Sequence, residues 1–317
     1  MKLSKKFGVV AVAVGLIVGL APAAQATDLQ GSGASFPQLL IEACKVPFAK
    51  TTGHSLTYGG GGSGTGRGNS DKGVGDVNFS DTPHTATTRV STVIHIPVVA
   101  APVAVMYNLP NKSKDLRLSA NTLAGIFAGT ITKWNDPAIV ADNNKTTTVT
   151  IYKKDRSGNP LKDASGKLVV LRTQTINGNF TLPDQKITVV YRSDSSGTTE
   201  NFTNYLNKSA ASVWTKAKNK VFKDAFPGNI NSTDNLGRVV GASSSTGVAQ
   251  LAGKTPYSIT FAEVNYATAN KLKIANVINP AGNVVAPDSV GTSAFLASAT
   301  QDANGWLTYD YATKEPG

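Results

Sequence analysis

Residues 191–202 bring charged, hydroxyl and glycine residues together in one short stretch of the chain. Arg192 carries a planar guanidinium whose paired N–H donors suit a carboxylate or a phosphate group. Ser196, Gly197 and Thr198 follow closely, and such small residues let backbone N–H groups approach a ligand. At the start of a helix, free N–H groups and a partial positive charge favour anions. The stretch therefore predicts a binding site for a small oxyanion.

A strand and a helix must hold this stretch in place. The run 187–190 is apolar and β-branched, which predicts a buried strand. Phe202 and Leu206 then recur at helical spacing. The turn between a strand and a helix is where an open α/β sheet binds its ligands. An ordinary helix cap is the alternative, but a cap needs one hydroxyl and does not need Arg192 and Asp194 as well.

Three further loops carry polar groups of the same kind. Ser35 precedes a predicted helix and offers a hydroxyl, although Ser is also a common helix cap. Ser63 lies in the glycine-rich run 59–66, which can wrap an anion in backbone N–H groups. Asp81 follows a short predicted strand, and on its own it favours an Asx turn before Pro83.

The glycine-rich run does not identify a nucleotide site. It fits the pattern G-x-G-x-x-G at Gly59, Gly61 and Gly64, but a run of glycines satisfies that pattern by chance. A phosphate-binding P-loop needs Lys and then Ser or Thr after its last glycine, whereas Arg67 and Gly68 stand there in this chain.

The remaining pattern predicts an α/β fold with mixed sheets. The expected elements are a helix at 39–52 that ends at Gly53, a strand at 54–58, a glycine-rich loop at 59–68, a strand at 76–81, an irregular crossing strand or strand pair at 93–107, and a helix at 122–127 capped by Ser119. Residues 145–182 predict an inserted hairpin, because two β-branched runs flank a turn rich in Gly, Pro and Asp.

Residues 1–26 have the three parts of a secretory signal peptide: a basic start, an apolar run at 7–20 and the small-residue cleavage site Ala24-Gln25-Ala26. The apolar run is short for a membrane helix, and no later stretch is long and apolar enough to span a bilayer. We therefore expect export to the periplasm, the cell surface or the medium, with no membrane span in the mature chain.

The sequence is basic, with 31 Lys and Arg against 20 Asp and Glu and a formal net charge of +11. Cleavage of the signal removes Lys2, Lys5 and Lys6 and no acidic residue, which leaves +8. Such a surface suits an anionic ligand or envelope. Nucleic acid is not an expected partner, because the basic residues are scattered. Cys44 is the only cysteine, and we expect it to pack on a helix as a small apolar residue.

Five segments together resemble the phosphate-binding protein of bacterial phosphate ABC transporters. They are residues 31–37, 61–66, 79–83, 126–137 and 189–202, and the last two are highly specific to that family. The resemblance extends from about residue 29 to the end. It implies an α/β fold of the type II periplasmic-binding-protein class, in which two lobes with central mixed sheets close on a cleft beside their hinge.

The resemblance also implies how the chain divides. The first lobe is expected to begin with residues 27–105, and the second lobe is expected to occupy 106–317 with the hairpin inserted at about 145–182. In the family a final strand and helix return to the first lobe. That return is expected to be missing from this sequence.

Carried over by position, the resemblance implies a phosphate site. Arg192 gives the charge-assisted hydrogen bonds, Asp194 holds its guanidinium and Asp81 is an acceptor. The hydroxyl and N–H groups are expected from Ala34, Ser35, Phe36, Ser63, Ser196, Gly197 and Thr198. An ionised Asp81 accepts hydrogen bonds but donates none, so it repels sulfate and favours a phosphate that still carries a proton.

These residues lead us to expect an exported, monomeric solute-binding protein that captures inorganic phosphate for the permease subunits of an ABC transporter. Neither a cofactor nor a metal is expected. The alternative is an extracellular phosphate-binding interaction protein that is not coupled to transport. A secreted phosphatase is disfavoured, because the sequence has no His-Glu-x-x-His, no Gly-x-Ser-x-Gly and no base near Ser195 or Ser196, so no catalytic residue is expected.

Overall fold

A computed structural model describes residues 26–84, 88, 90, 92–110, 115–144, 147–156, 158–176, 180–301 and 307–311. The strands are β1 (Asp28–Gly33), β2 (Ser55–Gly61), β3 (Val77–Phe79), β4 (Val103–Asn108), β5 (Arg117–Ser119), β6 (Thr147–Tyr152), β7 (Val170–Ile176), β8 (Thr188–Arg192), β9 (Val239–Ala242), β10 (Ser258–Glu263), β11 (Lys273–Ile278), β12 (Val284–Val285), β13 (Thr300–Gln301) and β14 (Leu307–Thr308). The helices are α1 (Gln38–Thr52), α2 (Ser63–Asp71), α3 (Ala120–Phe127), α4 (Pro137–Asn143), α5 (Gly197–Ser209), α6 (Phe222–Ala225), α7 (Ser244–Lys254), α8 (Asn265–Ala269) and α9 (Ser289–Ala297).

The strands nearest the N-terminus form a small parallel sheet in the order β2-β1-β3. Tyr58 on β2 is buried and packs edge-on against Phe79 on β3, with ring centroids 5.6 Å apart. A left-handed Gly53 ends helix α1, as the sequence predicts, because glycine adopts this conformation without strain. Helix α1 thus connects β1 to β2, the first two strands of the small sheet in chain order.

A larger mixed sheet has the order β12-β11-β4-β10-β8-β9, with β5 beside β11. The residues of strand β4 show that both faces of this sheet are buried. Val105 and Tyr107 belong to one hydrophobic core, whereas Ala104 and Met106 belong to the other, because successive residues of a strand point to opposite faces. Helices cover both faces, which confirms the predicted α/β architecture.

Several local predictions are confirmed. Ser119 caps α3 by accepting from the N–H of Thr122. The buried strand before residue 192 is β8, in which Val189 is fully buried. The inserted hairpin is β6 and β7, which pair in antiparallel register.

Two predictions differ from the structure. The run 59–68 is not a loop: its first glycines complete β2, and helix α2 begins at Ser63. The stretch 93–107 forms a strand only from Val103 onward, since Pro97 and Pro102 lack the N–H that a β-ladder needs. Residues 92–102 therefore cross between the two sheets without regular secondary structure.

The boundary expected after residue 105 falls inside β4, which belongs wholly to the larger sheet. The change from one sheet to the other takes place in the stretch between Phe79 and Val103. The predicted signal peptide, apart from Ala26, lies outside the described residues. No helix in the described ranges is long and apolar enough to cross a lipid bilayer.

An apolar groove lies between α1 and the segment 92–102. Leu40, Cys44, Phe48 and Val98 line it, and the side chains of Leu40 and Val98 are 50% and 67% exposed. Cys44 was expected to pack on a helix as a small apolar residue; it lies on α1, but it is exposed, so that prediction is wrong. Helix α1 therefore presents apolar side chains on its outer surface as well as towards its sheet.

Candidate functional site: an anion cleft between two sheets

Parallel strands of both sheets end at the same cleft. In the small sheet β1, β2 and β3 are parallel, and in the large sheet β9, β8 and β10 are parallel neighbours. Ligands of open α/β sheets bind beyond the carboxyl ends of such strands. The residues at or just after these ends are Ser35, Ser63, Asp81, Arg192, Ser245 and Glu263.

Arg192 is the buried cation of the cleft, and its side chain is 1% exposed. Its Nε and Nη2 donate to the two carboxylate oxygens of Asp194 over 2.8 and 2.5 Å. The N–H of Ser244 also donates to Asp194, over 3.0 Å. Burial raises the pKa of Asp194, but the hydrogen bonds and charge of Arg192 outweigh it and hold this pKa below its ordinary value. Asp194 therefore stays ionised and fixes the guanidinium plane, as the resemblance implies.

Asp81 is the carboxyl group on the opposite wall. Its backbone N–H donates to Ser63 Oγ over 3.1 Å, and its Oδ2 lies 2.9 Å from the hydroxyl of Thr198. Its Oδ1 is buried and has no hydrogen-bond partner among the described residues. Burial and the charge of Glu263 raise the pKa of Asp81 to about 6, although Thr198, Arg192 and Ser63 act in the other direction. An unpartnered buried oxygen of this kind is suited to accept a hydrogen bond from a protonated oxygen of a ligand.

The two helix N-termini that flank Asp81 are in close contact. The N–H of Gly64 in α2 donates to the carbonyl of Ser195, next to the start of α5, over 3.1 Å. A Cβ atom at Gly197 would lie 2.6 Å from Ser63 Oγ and 2.8 Å from Asp81 Cβ, so only glycine fits there. The positive ends of α2 and α5 thus meet at the carboxylate of Asp81.

Ser35 does not act as a helix cap. Helix α1 has no side-chain cap, and Ser35 is 1% exposed in the cleft. Its Oγ accepts from the N–H of Ser245 over 3.0 Å and lies 3.1 Å from Ser245 Oγ. Arg192 Nη1 also donates to Ser245 Oγ, over 3.0 Å. Ser35 and Ser245 therefore connect the two sides of the cleft.

The other predicted site residues take different places. The Ser196 hydroxyl caps α5, and its N–H donates to Lys220, so both groups already have partners. The N–H of Ala34 donates to the carbonyl of Phe79, while Phe36 is half-buried at the entrance to α1. In this structure the N–H of Ala34 and both polar groups of Ser196 are therefore engaged within the protein.

Sequence reasoning missed Ser245, Glu263 and Tyr266. Ser245 lies in the first turn of α7, beside Ser244, whose φ of 66° is unusual for a residue other than glycine. Glu263 ends the buried strand β10, and Tyr266 donates from its hydroxyl to the carbonyl of Ser35 over 3.0 Å. A polar residue at the end of an apolar run, such as Arg192, indicates a position at the end of a strand that borders the cleft.

No group of three or more His, Cys, Asp or Glu side chains suited to a metal ion occurs within the residues that the structure describes. Ser195 Oγ is buried and lacks a hydrogen-bond partner among them. His84 instead lies 3.0 Å from His95 and 3.1 Å from Asp71, in a separate cluster. The cleft offers donors and one acceptor for an anion.

The ends of parallel strands from two sheets form one cleft that contains a buried arginine, an arrangement typical of the two-lobed periplasmic-binding-protein fold. Residues 20–311 match a family model described as "PBP superfamily domain". The chain is 32% identical over 287 residues to "Phosphate-binding protein PstS" of Haemophilus influenzae, covering 90% of this chain and 72% of that protein. The chain therefore belongs to the PstS family of phosphate-binding proteins within the PBP superfamily.

Other relatives agree with this assignment. "Phosphate-binding protein PstS 3" of Mycobacterium tuberculosis is 35% identical over 280 residues, which cover 84% of this chain and 62% of that protein. The chain thus spans less than two thirds of the length of its mycobacterial relatives. The solved structure of "a high affinity periplasmic phosphate-binding protein (PfluDING) bound with phosphate" has a TM-score of 0.59 and 26% identity, over 87% of this chain and 70% of that one.

Proposed function

We propose that this chain is an exported solute-binding protein that captures inorganic phosphate for import by an ABC transporter. The observation that carries the proposal is the pairing of Arg192, held by Asp194, with the unpartnered oxygen of Asp81 in one cleft. The guanidinium and the helix N-termini attract an oxyanion, and Asp81 requires one of its oxygens to carry a proton. Phosphate meets both conditions at neutral pH, whereas sulfate meets only the first.

Binding without catalysis fits the chemistry of the cleft. Arg192, the hydroxyls and the helix ends hold an anion in its ground state, and Ser195 has no hydrogen-bonded base among the described residues. The relatives are named as binding proteins. We propose that the small sheet and the large sheet belong to the two lobes that close on the ligand, and that the mature protein acts after removal of residues 1–26.

Ligand binding is tested by thermal unfolding with phosphate or sulfate. A ligand at one hundred times its Kd stabilises the folded state by about 2.7 kcal/mol, so we expect phosphate to raise Tm by about 5 °C or more and sulfate to raise it far less. Arg192→Lys keeps the charge but loses the planar fork and should abolish most of the shift, whereas Arg172→Lys on the exposed hairpin should keep it. A folded sample whose Tm does not respond to millimolar phosphate refutes the proposal.

Transport is tested separately from binding. Deletion of the gene should reduce phosphate uptake by the cells, and re-expression of the chain should restore it. Co-purification with the permease subunits would support the same conclusion. A chain that binds phosphate but whose deletion leaves uptake unchanged would instead be an extracellular interaction protein.

A further inference from the structure

Glu263 is a buried acidic residue behind the wall of the cleft. It is the last residue of β10, it is 2% exposed, and its Oε2 has no hydrogen-bond partner among the described residues. Its Oε1 lies 2.9 Å from the hydroxyl oxygen of Thr198. The same hydroxyl oxygen lies 2.9 Å from Oδ2 of Asp81. Thr198 thus bridges two buried carboxyl groups from different sheets.

Two hydrogen bonds at this bridge need two protons, one more than the hydroxyl of Thr198 provides. A hydroxyl has a single proton, so Thr198 can donate to Asp81 or to Glu263 but not to both. The other contact is a hydrogen bond only where that carboxyl group carries a proton and donates it to the hydroxyl oxygen. If both carboxyl groups were ionised, a lone pair of the Thr198 oxygen would face a lone pair of one carboxylate oxygen 2.9 Å away, in a buried site.

We propose that Glu263 is a specificity-determining residue, because its carboxyl group, joined to Asp81 through the hydroxyl of Thr198, sets the pH below which the site stops discriminating against sulfate. The inference rests on the proposed phosphate-binding function. Glu263 does not need to touch the ligand. It acts through its negative charge next to Asp81. Asp81 is the group that distinguishes a protonated ligand from an unprotonated one.

The surrounding charges give the direction of the effect. Tyr58 on β2, Arg192 on β8 and Tyr266 on α8 face Asp81. Asp194 is paired to Arg192. Burial and Glu263 raise the pKa of Asp81 to about 6 against the hydrogen bonds and the Arg192 charge.

Above that pH, Asp81 is ionised and can only accept, so it requires a protonated ligand. Below it, Asp81 carries a proton and can donate to sulfate. Removal of the charge of Glu263 moves this transition to lower pH.

The test measures Kd for phosphate and for sulfate by titration calorimetry between pH 5 and pH 8, and follows their ratio. Sulfate stays unprotonated across this range, and the titration of free phosphate is the same for every variant. For the unaltered chain we expect the preference for phosphate to fall about tenfold between pH 7 and pH 5, as one proton binds below pH 6. In Glu263→Gln the preference should fall less than about twofold, because the transition lies lower.

Glu200→Gln is the matched control. Glu200 lies on α5 two residues after Thr198, but its carboxylate contacts Thr82, Arg67 and Lys218 instead of the bridge. Its removal should leave the pH midpoint unchanged. An equal midpoint in the unaltered chain and Glu263→Gln, or an equal shift in Glu200→Gln, overturns the inference alone. Absence of phosphate binding at every pH overturns the proposed function, and this inference with it.

An infrared titration of the unaltered chain gives a readout that does not depend on the folding of Glu263→Gln. We expect the C=O band of a buried protonated carboxyl group that disappears as the pH rises through about 6, and we expect that band to be absent in Asp81→Asn. A spectrum of the unaltered chain without such a band overturns the inference.

Discussion

Ionisation lets Asp81 select a protonated ligand, but it also lowers the stability of the folded chain. Burial and the charge of Glu263 raise the pKa of Asp81 from 3.8 to about 6. The folded state therefore binds a proton more tightly at Asp81 than the unfolded state does. This favourable term is fully present below pH 3.8 and is lost as the pH rises through about 6. At neutral pH the site holds an ionised carboxylate that the fold itself disfavours.

Asp81→Asn should separate stability from selectivity. Asn keeps an oxygen that can accept from Thr198, but it has no charge to bury, so without ligand it should raise the unfolding free energy by up to about 3 kcal/mol at pH 8. The gain should shrink as the pH falls below 6. Its amide can donate to sulfate, so the preference for phosphate should fall at the same time. Urea unfolding at pH 5 and pH 8, with competition binding, measures both effects, and an equal stability change at the two pH values would contradict the first.

At the scale of elements, helix α2 depends on glycine for close contact. A Cβ at Gly66 would lie 2.2 Å from the carbonyl oxygen of Phe79 on β3, whereas a Cβ at Gly68 would meet nothing within 4 Å. The two positions share one helix, and Gly66 alone is pressed against the sheet. The close approach matters for the site because the chain reaches Asp81 two residues after Phe79.

Two alanine substitutions in α2 should therefore act in opposite directions. Gly68→Ala should raise the unfolding free energy by about 0.5–1 kcal/mol, because alanine favours a helix over glycine. Gly66→Ala should lower it by about 1–3 kcal/mol and weaken phosphate binding, since β3 must move away. Denaturant unfolding and calorimetry measure the two changes. Equal effects of both substitutions would show that contact with β3 does not determine the role of Gly66.

Local signals in the sequence predicted those elements whose ends are fixed by a single residue. Ser119 caps its helix and Gly53 ends α1, because these residue types satisfy or adopt the end geometry by themselves. Helix α2 escaped prediction because glycine has a low helix propensity, and only packing against β3 and the turn at Ser195 explains its glycines.

The candidate site shows the same limit. Arg192 was predicted because it stands in a dense polar stretch, whereas Glu263 is a single polar residue at the end of a buried strand. The role of Glu263 depends on the parallel pairing of β10 with β8, which brings the C-terminal ends of these two strands together. That pairing joins segments far apart in the sequence, so no local pattern indicates it.

At the scale of the whole molecule, the cleft joins the two sheets, and the hairpin does not take part in it. Hydrogen bonds cross the cleft from Ser35 to Ser245, from Gly64 to Ser195 and from Thr198 to Asp81. The hairpin strands β6 and β7 form a separate sheet of their own. Opening of the cleft would break the first set of bonds and leave the ladder of the hairpin intact.

Hydrogen exchange should therefore reveal which parts of the chain respond to the ligand. An anion bound to both sides of the cleft must dissociate before the cleft opens, so at one hundred times its Kd phosphate should slow exchange through this opening about one-hundredfold. We expect that protection in residues 62–66 and 193–199, measured by mass spectrometry. Amides of β6 and β7 should exchange at unchanged rates, because they open locally. Equal protection of hairpin and cleft would mean that phosphate stabilises the whole chain without closing the cleft, and sulfate at the same concentration should protect neither.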